Sequence, residues 1–341
     1  MFKHLRTPNF ERLDKTLRNQ KADAIPLIEL GIHPDIKKEI MGKPVITVQE
    51  DIDFMRIMGY DFLKVQPEIS LKLNRKKVED ASKITDRSWS TEHEGLIKDW
   101  ESFEAYPFPK REEINYHRLE EAGKRIPDDM GIIGQYGDIF TTVWETMGFE
   151  TFSMLIYEEP ALVDELFRRI GDVIYSMFEV MSQMDFVKVL WYSDDIAYSS
   201  GLLVHPDFLR EHLFPWLKKI GILAKRRDIP FIYHSDGVLY DVMDDILACG
   251  VTALHPLEPI SMDIAELKSR YGSYIALCGG IDVDQLTRGS KDSVRELTRK
   301  YIRIAGKDGG WAAGSSNSIT EYIKTENYLT MVETVLKEGT Y

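Results

Sequence analysis

Short apolar runs alternate along the chain with longer stretches in which apolar side chains recur every three or four positions. The short runs are IPLIEL at 25–30, DFLKVQ at 61–66, GIIGQY at 131–136, VKVLWY at 187–192, IPFIYH at 229–234, VTALHP at 251–256, YIALCG at 274–279 and GWAAG at 310–314. Their length and apolar centres predict buried strands. Between them the period lengthens. In PALVDELFRRIGDVIYSMFEVM, residues Leu162, Leu166, Ile170, Ile174, Phe178 and Met181 fall on one face of a helix. Strand then helix, repeated, predicts a parallel sheet. With no Gly-rich dinucleotide fingerprint after the first strand, a closed (β/α)8 TIM barrel is expected rather than an open doubly wound sheet. FERLDKTLRNQ, ahead of the first strand, reads as an N-terminal helix lying outside the barrel. The polar, interrupted segment from about 67 to 98 reads as a β-hairpin insertion after strand 2. No repeat or linker divides the chain, so residues 1–341 read as a single domain.

Composition narrows the class. A hydrophobic fraction of 43% with 29% charged residues is that of a soluble globular protein. No run approaches the roughly 18 apolar residues of a membrane span, and no apolar signal region follows the start, so a cytoplasmic protein is expected. The formal net charge of −13 argues against a nucleic-acid partner. Cys249 and Cys278 are too few for a secreted disulfide framework.

In such barrels the reactive groups sit at the C-terminal ends of the strands. That rule selects Glu29, Gln66, Gln135, Tyr192 to Asp195, His234, Asp236, His255, Glu258, Cys278, Asp282 and Ser315 to Asn317. In YHSDG at 233–237, His234 and Asp236 lie two apart on extended backbone and point the same way, so an imidazole and a carboxylate can bind a metal together. Cys278, two strands further round, could add a thiolate, and Glu29 on the first strand could close a tetrahedral zinc site. Plainer readings stand beside these. A histidine at a strand end can be a hydrogen-bonding group, Cys278 can be core filler, and Glu29 can bind substrate. The adjacent Asp194 and Asp195 read either as a turn or cap, or as catalytic groups that orient a ligating histidine or polarise substrate. Gln135, Tyr192 and Glu258 are the expected substrate contacts. Cys249, inside the helical DDILACG, takes no role.

Four stretches carry a family resemblance: SDDIAYSSGLLVHPDFLREHLFPWLKK, PFIYHSDGVLYDVMDDILACGVTALHPLEP, ALCGGIDVDQL, and GGWAAGSSNSI with TENYLTMVE. Through them most of the chain resembles the uroporphyrinogen decarboxylase superfamily. The resemblance implies a (β/α)8 barrel and one of two activities, porphyrinogen decarboxylation or methyl transfer to a corrinoid cobalt. The decarboxylases carry an arginine-bearing stretch after the first strand. Here that stretch is LIELGIHPDIKKEI, with Glu29 and no arginine, which favours the methyltransferase branch. That branch carries His-x-Cys after the fifth strand and a further Cys after the eighth. This chain has His234-Ser235-Asp236 and Ser315-Ser316 there. Carboxylate in place of thiolate leaves a harder zinc ion, suited to polarising an oxygen. The chain is thus most similar to the substrate-demethylating component of anaerobic O-demethylase systems. The implied function is a zinc-dependent methyltransferase that moves a methyl group from a small methoxylated, aromatic compound to the cobalt(I) of a corrinoid (cobalamin) protein. The alternatives are a metal-free decarboxylase of a porphyrin or smaller acid, and a non-catalytic protein that binds a corrinoid module. A homo-oligomer is left open.

Overall fold

The computed structural model describes residues 6–73, 75–78, 87–90 and 95–341. In chain order the strands are β1 (Phe62–Val65), β2 (Arg75–Val78), β3 (Arg87–Ser90), β4 (Gly131–Gly137), β5 (Val187–Ser193), β6 (Ala197–Tyr198), β7 (Gly201–Leu202), β8 (Phe231–His234), β9 (Ala253–His255), β10 (Ala276–Cys278) and β11 (Trp311–Ala312). Seven of them form one parallel sheet in the order β1-β4-β5-β8-β9-β10-β11. Consecutive sheet strands are joined by helices, and the curled sheet with its outer helices is the α/β barrel architecture expected from the alternation. Strands buried on both faces are apolar nearly throughout, as in GIIGQYG of β4. The helix Pro160–Gln183 lays the expected stripe against β4 and β5, and Leu162, Leu166, Ile170, Ile174, Phe178 and Met181 are buried there.

The first expected strand takes the eighth position in reduced form. Leu27 pairs in parallel with Ala313. Ile28 N–H donates to the Ala313 carbonyl at 2.8 Å, and Ala313 N–H to the Pro26 carbonyl at 2.8 Å. The pairing is short because Pro26 has no N–H to give and because its neighbour β11 is only two residues long. Among the described residues no backbone ladder joins 25–30 to β1. Side chains meet there instead, with Glu29, Leu30, Phe62, Leu63 and Lys64 around a cavity of about 70 Å³.

The expected hairpin is present as the antiparallel pair β2 and β3, with Arg75 opposite Ser90. The other residues of the 67–98 insertion fall partly outside the described set. The N-terminal helix Phe10–Leu17 lies across the N-terminal ends of the barrel strands. Its first N–H donates to the Asp129 carbonyl just before β4. Arg12 bridges Asp23 at 2.8 Å and the buried Asp61 at 2.7 Å. Leu13 and Leu17 are fully buried. The floor of the barrel is therefore covered, and the opposite end is left for chemistry. No described helix is long and apolar enough to cross a membrane.

Candidate functional site

At the C-terminal ends of β1, β4, β5 and β8 lies a recess of about 310 Å³, lined by Leu30, Lys64, Gln66, Gln135, Asp138, Ser193, Asp194, Asp195, His234, Asp236 and Asn317. The strands set this lining through register. Ser193 of β5 pairs with His234 of β8, and His234 with His255 of β9, so these side chains share one layer of the barrel interior. Gln135 and Trp191, also paired, form the layer beneath.

His234, Asp195 and Asp236 each turn one ligand atom into a group within 4.8 Å of one another. His234 Nε2 is 3.5 Å from Asp195 Oδ1 and 3.8 Å from Asp236 Oδ1. Donors about 2.0–2.2 Å from a zinc ion stand roughly 3.2–3.6 Å apart in a tetrahedron, so small movements would seat one. Each donor is also held from behind. His234 Nδ1 meets His255 Nδ1 at 2.7 Å. Asp195 Oδ1 accepts from Asp236 N–H at 2.8 Å. Asp236 Oδ2 accepts from the Asn317 amide at 2.8 Å. Asp236 Oδ1 is buried with no hydrogen-bond partner, His234 Nε2 standing 3.8 Å away and out of hydrogen-bond reach. The backbone turn after Asp236 depends on glycine. Gly237 has φ +88°, its N–H donates to Glu258 Oε2 at 3.0 Å, and a Cβ there would stand 2.5 Å from the Ala197 carbonyl carbon.

Crowding of acids shapes the electrostatics. Burial, then the charge of Asp195, pushes Asp236 up to about 7. Burial with the Asp194 and Asp195 charges pushes Asp138 up to about 8. Asp138 is open to the recess on one side and enclosed by protein on the others. Burial raises Asp194 to about 6, against four hydrogen bonds that favour its anion. For Asp195 burial is outweighed by His234, whose hydrogen bond and charge hold the carboxyl below its usual range. Burial opposes the charge on His234, yet Asp195, Asp236 and Asp138 hold its pKa above the ordinary value. Burial and the neighbouring His234 keep His255 neutral, far below the imidazole range.

The expected site residues fall into two sets. His234, Asp236, Asp195 and Gln135 line the recess. Asp194 reaches it but is engaged elsewhere. It accepts from Phe140 N–H at 2.7 Å, from Thr141 N–H and Oγ1 at 2.9 Å each, and from the Tyr192 hydroxyl at 2.6 Å, and so holds the start of the helix Ile139–Met147. Tyr192 does not line the recess. It faces the helix layer, its ring near Phe178, because it neighbours the inward Ser193 and so points the other way. Glu258 sits behind the site, steadying the turn at Gly237. Glu29 lies on the far side of the barrel, where both carboxylate oxygens accept from Ser315, from N–H at 2.9 Å and from Oγ at 2.6 Å. Burial raises its pKa to about 8. Cys278 is fully buried on β10, outside the convergent group, and burial pushes its thiol far up. Six lining residues went unremarked in sequence or were left without a role: Leu30, Lys64, Gln66, Asp138, Ser193 and Asn317. Lys64 and Gln66 were legible as the polar alternate positions of an otherwise apolar strand. Asp138 gave no periodic signal, because it adopts a left-handed conformation, φ +67°, just beyond β4.

The family model for uroporphyrinogen decarboxylase matches residues 91–337. Two curated proteins named uroporphyrinogen decarboxylase are similar to the chain. The one from Methylococcus capsulatus is 25% identical over 62% of this chain and 61% of its own length. That from an Anaeromyxobacter species is 24% identical over 62% of this chain and 59% of its own length. The match thus spans about three-fifths of those relatives. Among solved structures, a methyltransferase from Methanosarcina mazei superposes with a TM-score of 0.69 at 14% identity, covering 95% of this chain and 97% of that one, a likeness of fold. With the family model spanning most of its length, this chain belongs to the uroporphyrinogen decarboxylase family of enzymes.

Proposed function

We propose that the protein is a zinc-dependent methyltransferase that takes a methyl group from a small methoxylated compound and passes it to a corrinoid protein. The observation that carries this is the convergence of Asp195, His234 and Asp236 on the wall of a 310 Å³ recess whose described lining holds no arginine. The volume stands at the lower end of small-molecule sites. A tetrapyrrole with several carboxylate arms asks for more room and for cationic grips, and four aspartates line this recess instead.

The residues present fit a divalent cation. Two carboxylates and an imidazole are hard to intermediate donors, and the bare Asp236 Oδ1 is the acceptor such an ion would satisfy. His234 would present Nε2 while its Nδ1–H is donated to His255, and Asn317 would hold the second oxygen of Asp236. A zinc ion so held would supply Lewis acidity toward an ether oxygen of the substrate. The chain's own residues bind and orient. Gln135 fixes the floor through Ser193 at 3.0 Å, and Asp194 fixes the wall that carries Asp138. The one hydroxyl of the described lining, Ser193, accepts from the Gln135 amide at 3.0 Å and has no hydrogen bond to a general base, so in this reading the methyl acceptor comes from outside, which a corrinoid protein docked at the open mouth would provide.

The test is metal content. The purified protein should hold close to one zinc per chain by elemental analysis, and His234→Ala and Asp236→Ala should each lose most of it. Full retention of zinc in both variants removes the metal from this site.

A further inference from the structure

Lys64 is out of place energetically. It stands among apolar neighbours in β1 and lines both the recess and the small cavity beside it. Its Nζ donates to Gln135 Oε1 at 3.0 Å, and the Gln66 amide donates to that same oxygen. Two donors thus share one neutral acceptor. Among the described residues Lys64 forms no ion pair, whereas nearby Lys37 is paired with Asp51 at 2.7 Å. Burial, then the charge of Lys37, pulls the Lys64 pKa down to about 7. A half-buried amine without a counter-charge lowers stability relative to the leucine or methionine the strand could carry. The counter-charge the chain withholds is one a ligand can bring.

We propose that the substrate carries a carboxylate, taken by Lys64 Nζ together with the Gln66 amide at the flank opposite the Asp195–His234–Asp236 group. The assignment rests on the methyl-donor reading and adds the charge and orientation of the donor. Lys64 is on β1 and His234 on β8, three strand positions apart in the sheet. Apart from His234, Lys64 is the only basic side chain in the described lining, facing four aspartates. Lys64 is the cation that the described lining leaves without an ion-pair partner, so an anionic group seats there and leaves the opposite, methyl-bearing end at the convergent donors. Glu29 lines the small cavity with Lys64, but its two oxygens already accept from Ser315.

Titration calorimetry on the metal-loaded protein tests this with two acid–amide pairs, 4-methoxybenzoate against 4-methoxybenzamide and methoxyacetate against methoxyacetamide. The acid of at least one pair should bind about tenfold more tightly than its amide. Lys64→Met should remove that preference, lowering acid affinity about tenfold and moving amide affinity by less than about threefold. The proposal is overturned if neither pair shows an acid preference, if no probe binds up to about 10 mM, or if Lys64→Met keeps the preference. The wild-type comparison decides even if the variant folds poorly. The calorimeter contains no methyl acceptor, so an acid preference without methyl transfer would keep the role of Lys64 and sink the reaction, and the converse would do the reverse.

Discussion

The two nitrogens of His234 face different neighbours. Nδ1 meets His255, whose own Nε2 is buried without a partner, and Nε2 points at Asp195 and Asp236. With His255 held neutral, His234 is the ring of the pair that carries the charge, its Nε2 turned to Asp195 and Asp236, and a cation bound there would take the place of the Nε2 proton. Cys278 and Glu29 make sharper tests because sequence made both ligand candidates. Cys278 is fully buried with a disfavoured thiolate, so Cys278→Ser should cost about 1–2 kcal/mol and keep its zinc; loss of zinc would place the sulfur in the metal site. Glu29 has a folded pKa near 8 against roughly 4.3 unfolded, so the folded state binds more protons between those values. Its stability contribution is full below about pH 4 and is lost as pH rises to 8, a few kcal/mol at about 1.4 per unit. Glu29→Gln removes that loss. Thermal melts should show the variant gaining on the wild type steadily from about pH 5 to 8, with zinc unchanged. A pH-independent difference would mean the carboxylate stays ionised, as a metal or cation partner would make it.

At the scale of elements, the weakest joint in the barrel is the first segment. Gly314 lies against it so closely that a Cβ would stand 1.8 Å from the Ile28 carbonyl oxygen and 3.4 Å from Glu29 Oε1. Gly314→Ala should therefore push 25–30 off β11 and cost about 3 kcal/mol or more in a denaturant titration; a loss under about 0.5 kcal/mol would contradict the seating. The same joint shows what the sequence could carry. Alternation of apolar runs and amphipathic helices was enough for the barrel, because each element buries a face whose period is written locally. IPLIEL looked like any other strand, yet Pro26 and a two-residue partner reduced it to a bridge, and partner length is not local information. At the site, His234 and Asp236 were legible from their spacing. In the Asp194–Asp195 pair, one residue turns in and one holds a helix start, a division that period-two geometry allows but whose phase needs the register. Asp138 and the Lys64–Gln135–Gln66 triad depend on contacts between strands distant in sequence, and no single run displays them.

Across the whole molecule, the N-terminal helix closes one end of the barrel and leaves acidic, metal-competent chemistry at the other. A chain with net charge −13 and four aspartates around one small recess has little to offer a polyanionic tetrapyrrole, and much to offer a cation and a small ligand oriented against one lysine. Family membership admits both decarboxylation and methyl transfer, so the reaction itself must decide. The direct measurement follows cobalt absorbance when the zinc-loaded protein is mixed with a verified, reduced corrinoid protein and a panel of methoxybenzoates, neutral methoxyaromatics, simple methyl ethers, methanol and methylamines. The account predicts conversion of the cobalt(I) spectrum to that of methylcobalt(III) with at least one methoxylated acid, release of the matching phenol or alcohol, and loss of both when the metal is removed. No methylcobalt with any donor, or carbon dioxide release from uroporphyrinogen in its place, would contradict it.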